Sequence, residues 1–241
     1  MPSGMDVSTA LAQRRSIRDF KPDPIPPELL NAVLADARWA PSWSNTQPYR
    51  LGIASGALRD TISSKLCALY DEGMALQRAA PWTKLAALLS GKVPKGDYAV
   101  PREYPEDLQP ARRATGFGLY GVLGIAREDK PAREKQMRKN YEFFGAPTVI
   151  FLFAHEGLGH YATLDAGIWL QSFMLAAQAR GLGTCAQGAL AVWPEPIRAA
   201  FDVPPRYRLL CGCSVGFPAA TPVNAFNPDR PAAEALLLKA R

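Results

Sequence analysis

The chain has no run of about 18 uninterrupted apolar residues, the length a membrane-spanning helix needs. Its longest apolar stretch, Ala162 to Ala179, carries Asp165, Gln171 and Gln178, and predicts a buried core helix instead. The opening segment MPSGMDVSTALAQRR lacks an apolar region and a cleavage site, which argues against secretion and for the cytoplasm. Histidine is scarce, with two in the chain. They stand five apart as His155 and His160, with glycines between them, which excludes the zinc helix of a metalloprotease. No G-x-S-x-G elbow supports a Ser–His–Asp hydrolase, and there is no Walker-type phosphate loop. The four cysteines, Cys67, Cys185, Cys211 and Cys213, contain no C-x-x-C. They read as small core hydrophobes of a reducing compartment, Cys211 and Cys213 facing one side of a strand, and no metal is expected. GFGLYG at Gly116–Gly121 fits the dinucleotide fingerprint, but the charged PARRAT precedes it where a buried strand is required, so a glycine-tolerant helix is expected. With so little acid–base machinery, the chemistry is expected to reside in a bound cofactor.

What the chain does have is a core. The hydrophobic set makes up 48% of 241 residues and charged residues 21%, enough for one large domain or two small ones and too apolar for disorder. The net charge of +6 gathers in short clusters, Arg14/Arg15/Arg18/Lys21, Arg112/Arg113 and Arg127 to Lys139. No single aromatic-interleaved stripe forms, so a small anionic ligand is favoured over nucleic acid.

Periodicity and punctuation predict helices at Val7–Gln13, Glu28–Trp39, Ala57–Arg78, Ala111–Leu123, Lys130–Tyr141, Tyr161–Arg180, Glu195–Phe201 and Pro231–Lys239. Strands are predicted at Arg50–Ala54, Pro147–Ala154, Gly183–Ala186 and Tyr207–Val215; the apolar run PTVIFLFA predicts a strand buried on both faces. The expected class is α+β: one domain over residues 1–241, with an excursion at about 81–140 and a C-terminal extension at about 219–241.

Arg14, Ser16 and Arg18 are spaced two apart in RRSIRDF, so in an extended segment they project to one side and clamp a phosphate or polar ring. PSWSNTQP adds neutral donors and acceptors after a helix. GLGTCAQG places small residues where backbone can approach a flat ring, and the segment after SVGFP leads to an isolated Arg230.

In order and spacing, RRSIR, Ala40–Pro48, Ala146-Pro147, Gly181–Thr184, Gly216-Phe217-Pro218 and Arg230 resemble the nitroreductase family of FMN-dependent oxidoreductases over nearly the whole chain. RKNYEFFGAP is similar to the branch that reduces nitrobenzoates and nitroanilines. The resemblance implies a three-layer nitroreductase-like fold, a central, mostly antiparallel sheet flanked by helices, and an interlocked homodimer. It implies FMN as cofactor, NAD(P)H as electron donor, and ping-pong reduction of nitroaromatics to nitroso and hydroxylamino products. Arg14, Arg15, Ser16 and Arg230 match the positions around the FMN phosphate and ribityl chain, and Arg18 the cation beside the flavin pyrimidine edge. Pro41, Ser42, Trp43 and Asn45 match a loop reaching the partner subunit's flavin, Asn140 an amide at the pyrimidine edge, and Ala186, Gln187 and Gly188 the segment beside N5 and O4. The excursion is then a lid that selects the acceptor, with Trp82, Tyr98, Tyr104, Phe117 and Tyr120 as aromatic walls and Arg112, Arg113 and Arg127 as attractors of a carboxylate. Two positions depart from the family pattern: Phe143 replaces a frequent lysine, and Pro228 a basic residue two before the late arginine. Reductive dehalogenation and cobalamin-ligand synthesis on the same fold, and a basic non-enzymatic binding module, are the alternatives.

Overall fold

The apolar strand Thr148–His155 (β2) organises the molecule. In the computed structural model, which describes residues 5–83, 95–99 and 103–240, β2 pairs antiparallel with Tyr49–Ser55 (β1) on one edge and Tyr207–Gly216 (β4) on the other. Gly183–Gln187 (β3) closes the far side of β4, giving the order β1-β2-β4-β3, antiparallel throughout. All of β2 except His155 is buried, as its composition predicts for a strand covered on both faces.

Alternation along β2 divides the core in two. Val149, Phe151 and Phe153 face the helix Gly56–Arg78 (α3), packing with Ile62, Leu66, Cys67 and Tyr70. Ile150, Leu152 and Ala154 face the helices Pro27–Ala37 (α2) and His160–Gln178 (α6), packing with Val33, Ala37, Ala166, Trp169 and Phe173. The result is helix–sheet–helix layering, an α+β fold. A register shift at Leu152/Phe153 changes the facing of β4: Leu209 points to the α3 side, whereas Cys211 and Cys213 share the α6 side, as their spacing predicts.

Local chemistry fixes the element ends. Asp6 caps the first helix, Val7–Gln13 (α1), by accepting from the Thr9 N–H at 3.0 Å. Gly181, at φ 75°, terminates α6, and the Leu182 N–H returns to the Ala177 carbonyl. GFGLYG lies within a helix, Gln109–Val122 (α4), followed by Lys130–Arg138 (α5). The latter stops before the expected Tyr141, because its bonds tighten to the i→i−3 type: the Asn140 N–H donates to the Met137 carbonyl and the Tyr141 N–H to that of Arg138. The expected C-terminal helix is also corrected: only Ala233–Leu236 forms a short 3-10 turn, and Leu236, Leu237 and Leu238 are 71%, 72% and 98% exposed. An apolar face with nothing to bury it gives little helix stability. Of the excursion at 81–140, residues 84–94 and 100–102 lie outside the described residues. No helix among the described residues is long and apolar enough to cross a membrane.

After α1 the chain runs extended along β3. Ser16 forms a parallel bridge with Thr184, the Ile17 N–H donates to the Thr184 carbonyl at 2.9 Å, and Phe20 bridges to Pro218. Gly183 permits this docking, since a Cβ there would meet Ile17 Cγ1 at 2.6 Å and Pro218 Cγ at 2.8 Å. Gly183→Ala is expected to lower stability by about 1–3 kcal/mol through overpacking. Urea unfolding measures this, and an unchanged midpoint would show that the docking does not need the glycine.

Candidate functional site

Docking on β3 sorts the basic segment by parity. Ile17 enters the core, while Arg14, Ser16 and Arg18, of the opposite parity, gather around Cys185; Phe20 is buried further on, where the segment leaves β3 and bridges to Pro218. Burial pushes the Cys185 thiol up to about 11, against the opposing pull of the Arg18 charge, the Ser16 hydrogen bond and the Arg14 charge. The thiol therefore stays neutral and offsets none of the cluster's positive charge. Arg15 turns away and donates to the carbonyls of Gln13 at 3.2 Å and Ala225 at 3.4 Å. The buried Asn224 fixes the segment: it accepts from the Arg18 N–H at 2.8 Å and donates to the Asp19 and Ala219 carbonyls at 2.7 and 2.8 Å. Among the described residues, Arg14, Arg15 and Arg18 form no ion pair. Two uncompensated guanidinium groups and a hydroxyl on one face suit a phosphate or another anion.

The end of β3 adds a second wall. Ala186 is exposed, and a Cβ on Gly188 would meet nothing within 4 Å, so the backbone is open to a flat ring. Gln187 behaves differently from its neighbours. Its buried amide donates to the Asn140 carbonyl at 2.9 Å and to Asn140 Oδ1 at 3.3 Å, and accepts from the Ser214 hydroxyl. Asn140 is thereby fastened beside β3.

The turn after Asn140 is strained and well supported. Phe143, Phe144 and Gly145 have φ of 56°, 53° and 80°, and a bulky residue in that region costs on the order of 1–3 kcal/mol. Burial of both phenyl rings, a Ser63 hydroxyl bond to the Tyr141 carbonyl at 2.8 Å and an Arg59 bond to the Ala146 carbonyl at 3.0 Å hold it. Phe143 is fully buried under the Arg59 guanidinium, 5.1 Å from the ring centroid, so this position offers no side chain to a ligand. Sequence reasoning overlooked Arg59 and Ser63, which look like ordinary surface positions of a long helix.

The loop Pro41–Pro48 is also strained. Ser44, Asn45 and Gln47 have φ of 50°, 54° and 40°. Ser42 Oγ accepts from the Gln47 N–H at 2.9 Å, and the buried Asp165 carboxylate accepts from the Trp43 N–H at 3.0 Å. Half-exposed Trp43 packs on Tyr161 with ring centroids 4.3 Å apart. In the sequence Asp165 is only a polar interruption of an apolar helix, yet it sets this loop. The loop and the arginine cluster lie at opposite ends of the sheet. Tyr49, just after the loop, pairs with Ala154, whereas Thr184 reaches Thr148 through Val215; the intervening strand spans about 20 Å.

The expected aromatic walls separate into two places. Tyr104, Phe117 and Tyr120 lie under Arg112, Arg127 and Arg133 at 4.9, 5.7 and 5.3 Å. Tyr98 instead sits beside Thr163 of α6, next to Asp97, which accepts from Arg198 and from the Leu209 N–H, both at 2.6 Å. Trp82 is 75% exposed. Arg230 is exposed, and its guanidinium donates to its own Pro228 and Asp229 carbonyls.

The profile of the nitroreductase family matches residues 11–217, and the chain belongs to that family. It is 33% identical to nitroreductase NfnB of Mycolicibacterium smegmatis over 90% of this chain and 87% of that one. It is 30% identical to a 4-nitrobenzoate reductase of Pseudomonas putida over 88% of this chain and 85% of that one. The crystal structure of FMN-dependent nitroreductase NfnB from Mycobacterium smegmatis in complex with NADPH superposes with a TM-score of 0.81 at 30% identity, covering 98% of this chain and 100% of that one. The same fold extends to iodotyrosine deiodinase, at 17% identity and a TM-score of 0.59 over 98% of both chains.

Burial raises Cys185 and Cys211 from 9.0 to about 11. Such thiols stay protonated in the folded chain while the unfolded chain ionises, so the unfolded state binds fewer protons. Stability is therefore expected to fall as pH rises from about 9 to about 11, by about 2–3 kcal/mol per thiol. Urea unfolding at intervals from pH 8 to 11 measures the slope. Cys185→Ala should make it shallower, and an identical slope in the variant would contradict the assignment.

Proposed function

We propose that the protein is an FMN-dependent NAD(P)H nitroreductase that reduces nitroaromatic compounds to nitroso and hydroxylamino products. The observation that carries this is the convergence of Arg14, Ser16 and Arg18 on β3, uncompensated by any carboxylate among the described residues, in a member of the nitroreductase family. The relatives' names, NfnB and 4-nitrobenzoate reductase, supply the acceptor class.

The residues present fit a phosphorylated planar cofactor. Arg14 and Ser16 hold the phosphate and ribityl chain, with Arg15 at the margin and Arg230 as a further cation. Arg18 places positive charge at the pyrimidine edge, where it favours an anionic ring. Asn140 faces the same edge, oriented by Gln187, while Ala186 and Gly188 offer open backbone to the flat face. When bound, FMN supplies two-electron transfer between NAD(P)H and the nitro group at one shared place, hence ping-pong kinetics. The chain holds the ring, orients its polar edge and leaves one face open to donor and acceptor in turn.

The working unit in this proposal is a homodimer. Pro41, Ser42, Trp43 and Asn45 are fixed at the opposite end of the sheet from the arginine cluster of their own chain, offset by about 20 Å along the strands alone, and in this proposal they complete the neighbour's site. The outer face of α6, with Leu164 59% exposed and Gly167 and Ile168 beside it, lines an open groove suited to a second copy. Residues 1–241 act as one domain, the stretch 81–140 as the acceptor-selecting lid. Four free cysteines accord with a cytoplasmic location.

A charge-assisted contact to phosphate contributes about 1.5–3 kcal/mol, so Arg14→Ala should weaken FMN binding at least about tenfold. Arg18→Ala should lower the flavin midpoint potential. Fluorescence titration of the apoprotein and spectroelectrochemistry read these effects. A wild-type chain that binds no FMN would overturn the proposal. Light scattering of the flavin-loaded protein should give twice the 26.2 kDa of one chain, and a single-chain mass would contradict the shared site.

A further inference from the structure

An open groove of about 250 Å³ lies between α4 and α5, lined by Tyr120, Lys130, Arg133, Glu134 and Met137. Tyr120 supplies an aromatic face and Met137 a polarizable thioether, both surfaces that a flat ring packs against. The charges in the groove do not cancel. Glu134 is the only carboxylate in the lining, and it is engaged by Arg78 from α3. Asp129, next in sequence to Lys130, is turned to cap α5 by accepting from the Ala132 N–H at 2.9 Å. Lys130 and Arg133 form no ion pair among the described residues. Arg133 lies over the Tyr120 ring and donates to the Arg127 carbonyl at 3.1 Å, leaving its other N–H groups free for a ligand.

The groove also connects to the proposed cofactor site. The Asn140 side-chain amide donates to the Met137 carbonyl at 3.0 Å and lies 3.5 Å from Met137 Sδ, and Asn140 is the residue that Gln187 fastens beside β3. We infer that this groove is an acceptor subsite for an aromatic ring bearing a carboxylate, with Tyr120 and Met137 packing the ring and Lys130 and Arg133 binding the anion. The inference rests on the flavin reading, since Asn140 marks where the cofactor lies. It relocates acceptor recognition: Arg112, Arg127 and Arg133 each stack on an aromatic ring, but of these Arg133 alone lines the groove, with Lys130 beside it.

The same cations also suit a phosphate of the electron donor, so the test has separate arms. Steady-state kcat/KM for 4-nitrobenzoate and for neutral 4-nitrobenzamide is measured with FMN-loaded full-length protein. The variants are Lys130→Gln/Arg133→Gln and the charge-retaining Lys130→Arg/Arg133→Lys. Both positions are exposed, so folding should survive; circular dichroism checks it. The acid-to-amide ratio should fall at least about fivefold in the neutral variant and largely return in the charge-retaining one. Calorimetric titration with benzoate, which has no nitro group, should show Kd rising by a similar factor. An unchanged ratio and an unchanged benzoate Kd would overturn the subsite. A rise in KM for NADPH with no change in the acid-to-amide ratio would also overturn it, reassigning the groove to the donor's phosphate. If the wild type takes up no FMN or leaves nitro groups intact, the flavin reading fails; charge-dependent benzoate binding would then stand as a separate property of the groove.

Discussion

Ile17 packs over Gly183, and the position of the arginine cluster depends on that contact. The extended segment after α1 bridges to Thr184 of β3 and to Pro218 just past β4, and it approaches β3 closely enough only because residue 183 has no side chain. Once Ile17 is buried, alternation puts Arg14, Ser16 and Arg18 on the opposite side, where all three act on Cys185 of β3. Core packing thus aims the charges, and Asn224 locks the segment from behind with three hydrogen bonds.

Strain marks the two other contributors. Phe143 and Phe144 hold positive φ because their rings are buried and α3 bonds the carbonyls on either side. Ser44, Asn45 and Gln47 do so because Asp165 and Ser42 hold the loop. Backbone in such conformations persists only where the surroundings over-determine it, and both loops belong to the proposed site. The sheet sets the distance between them: one loop fastens at the Ala154 end of β2, while the arginine cluster sits at the Thr148 end. In the proposed function, the site draws on both and is therefore shared between two chains.

The fold was largely legible from patterning. PTVIFLFA showed a doubly buried strand, and the parity of Cys211 and Cys213 held even though a register shift lies just before them in β4. The alternation of Arg14, Ser16 and Arg18 was also readable, because an extended segment obeys period two. What stayed hidden were long-range partners. Asp165, Arg59 and Ser63 carry no local signal, since their roles arise from contacts 78 to 122 residues away. Pro231–Lys239 failed for the opposite reason: its helical pattern finds no surface to cover among the described residues. The aromatic candidates were visible as residue types, but their separation into an arginine-stacked set and Tyr98 beside α6 needed tertiary structure.

The central claim is that Arg14, Ser16 and Arg18 form an anion cradle whose ligand is the phosphate of FMN. Riboflavin shares the ring and ribityl chain but has no phosphate, so comparing the two flavins isolates that contact. Titration of the apoprotein, read by flavin fluorescence, should give riboflavin a Kd at least about tenfold above that of FMN, with a steeper loss of FMN affinity as salt is raised. Equal affinities for the two flavins, or no binding of either, would contradict the account.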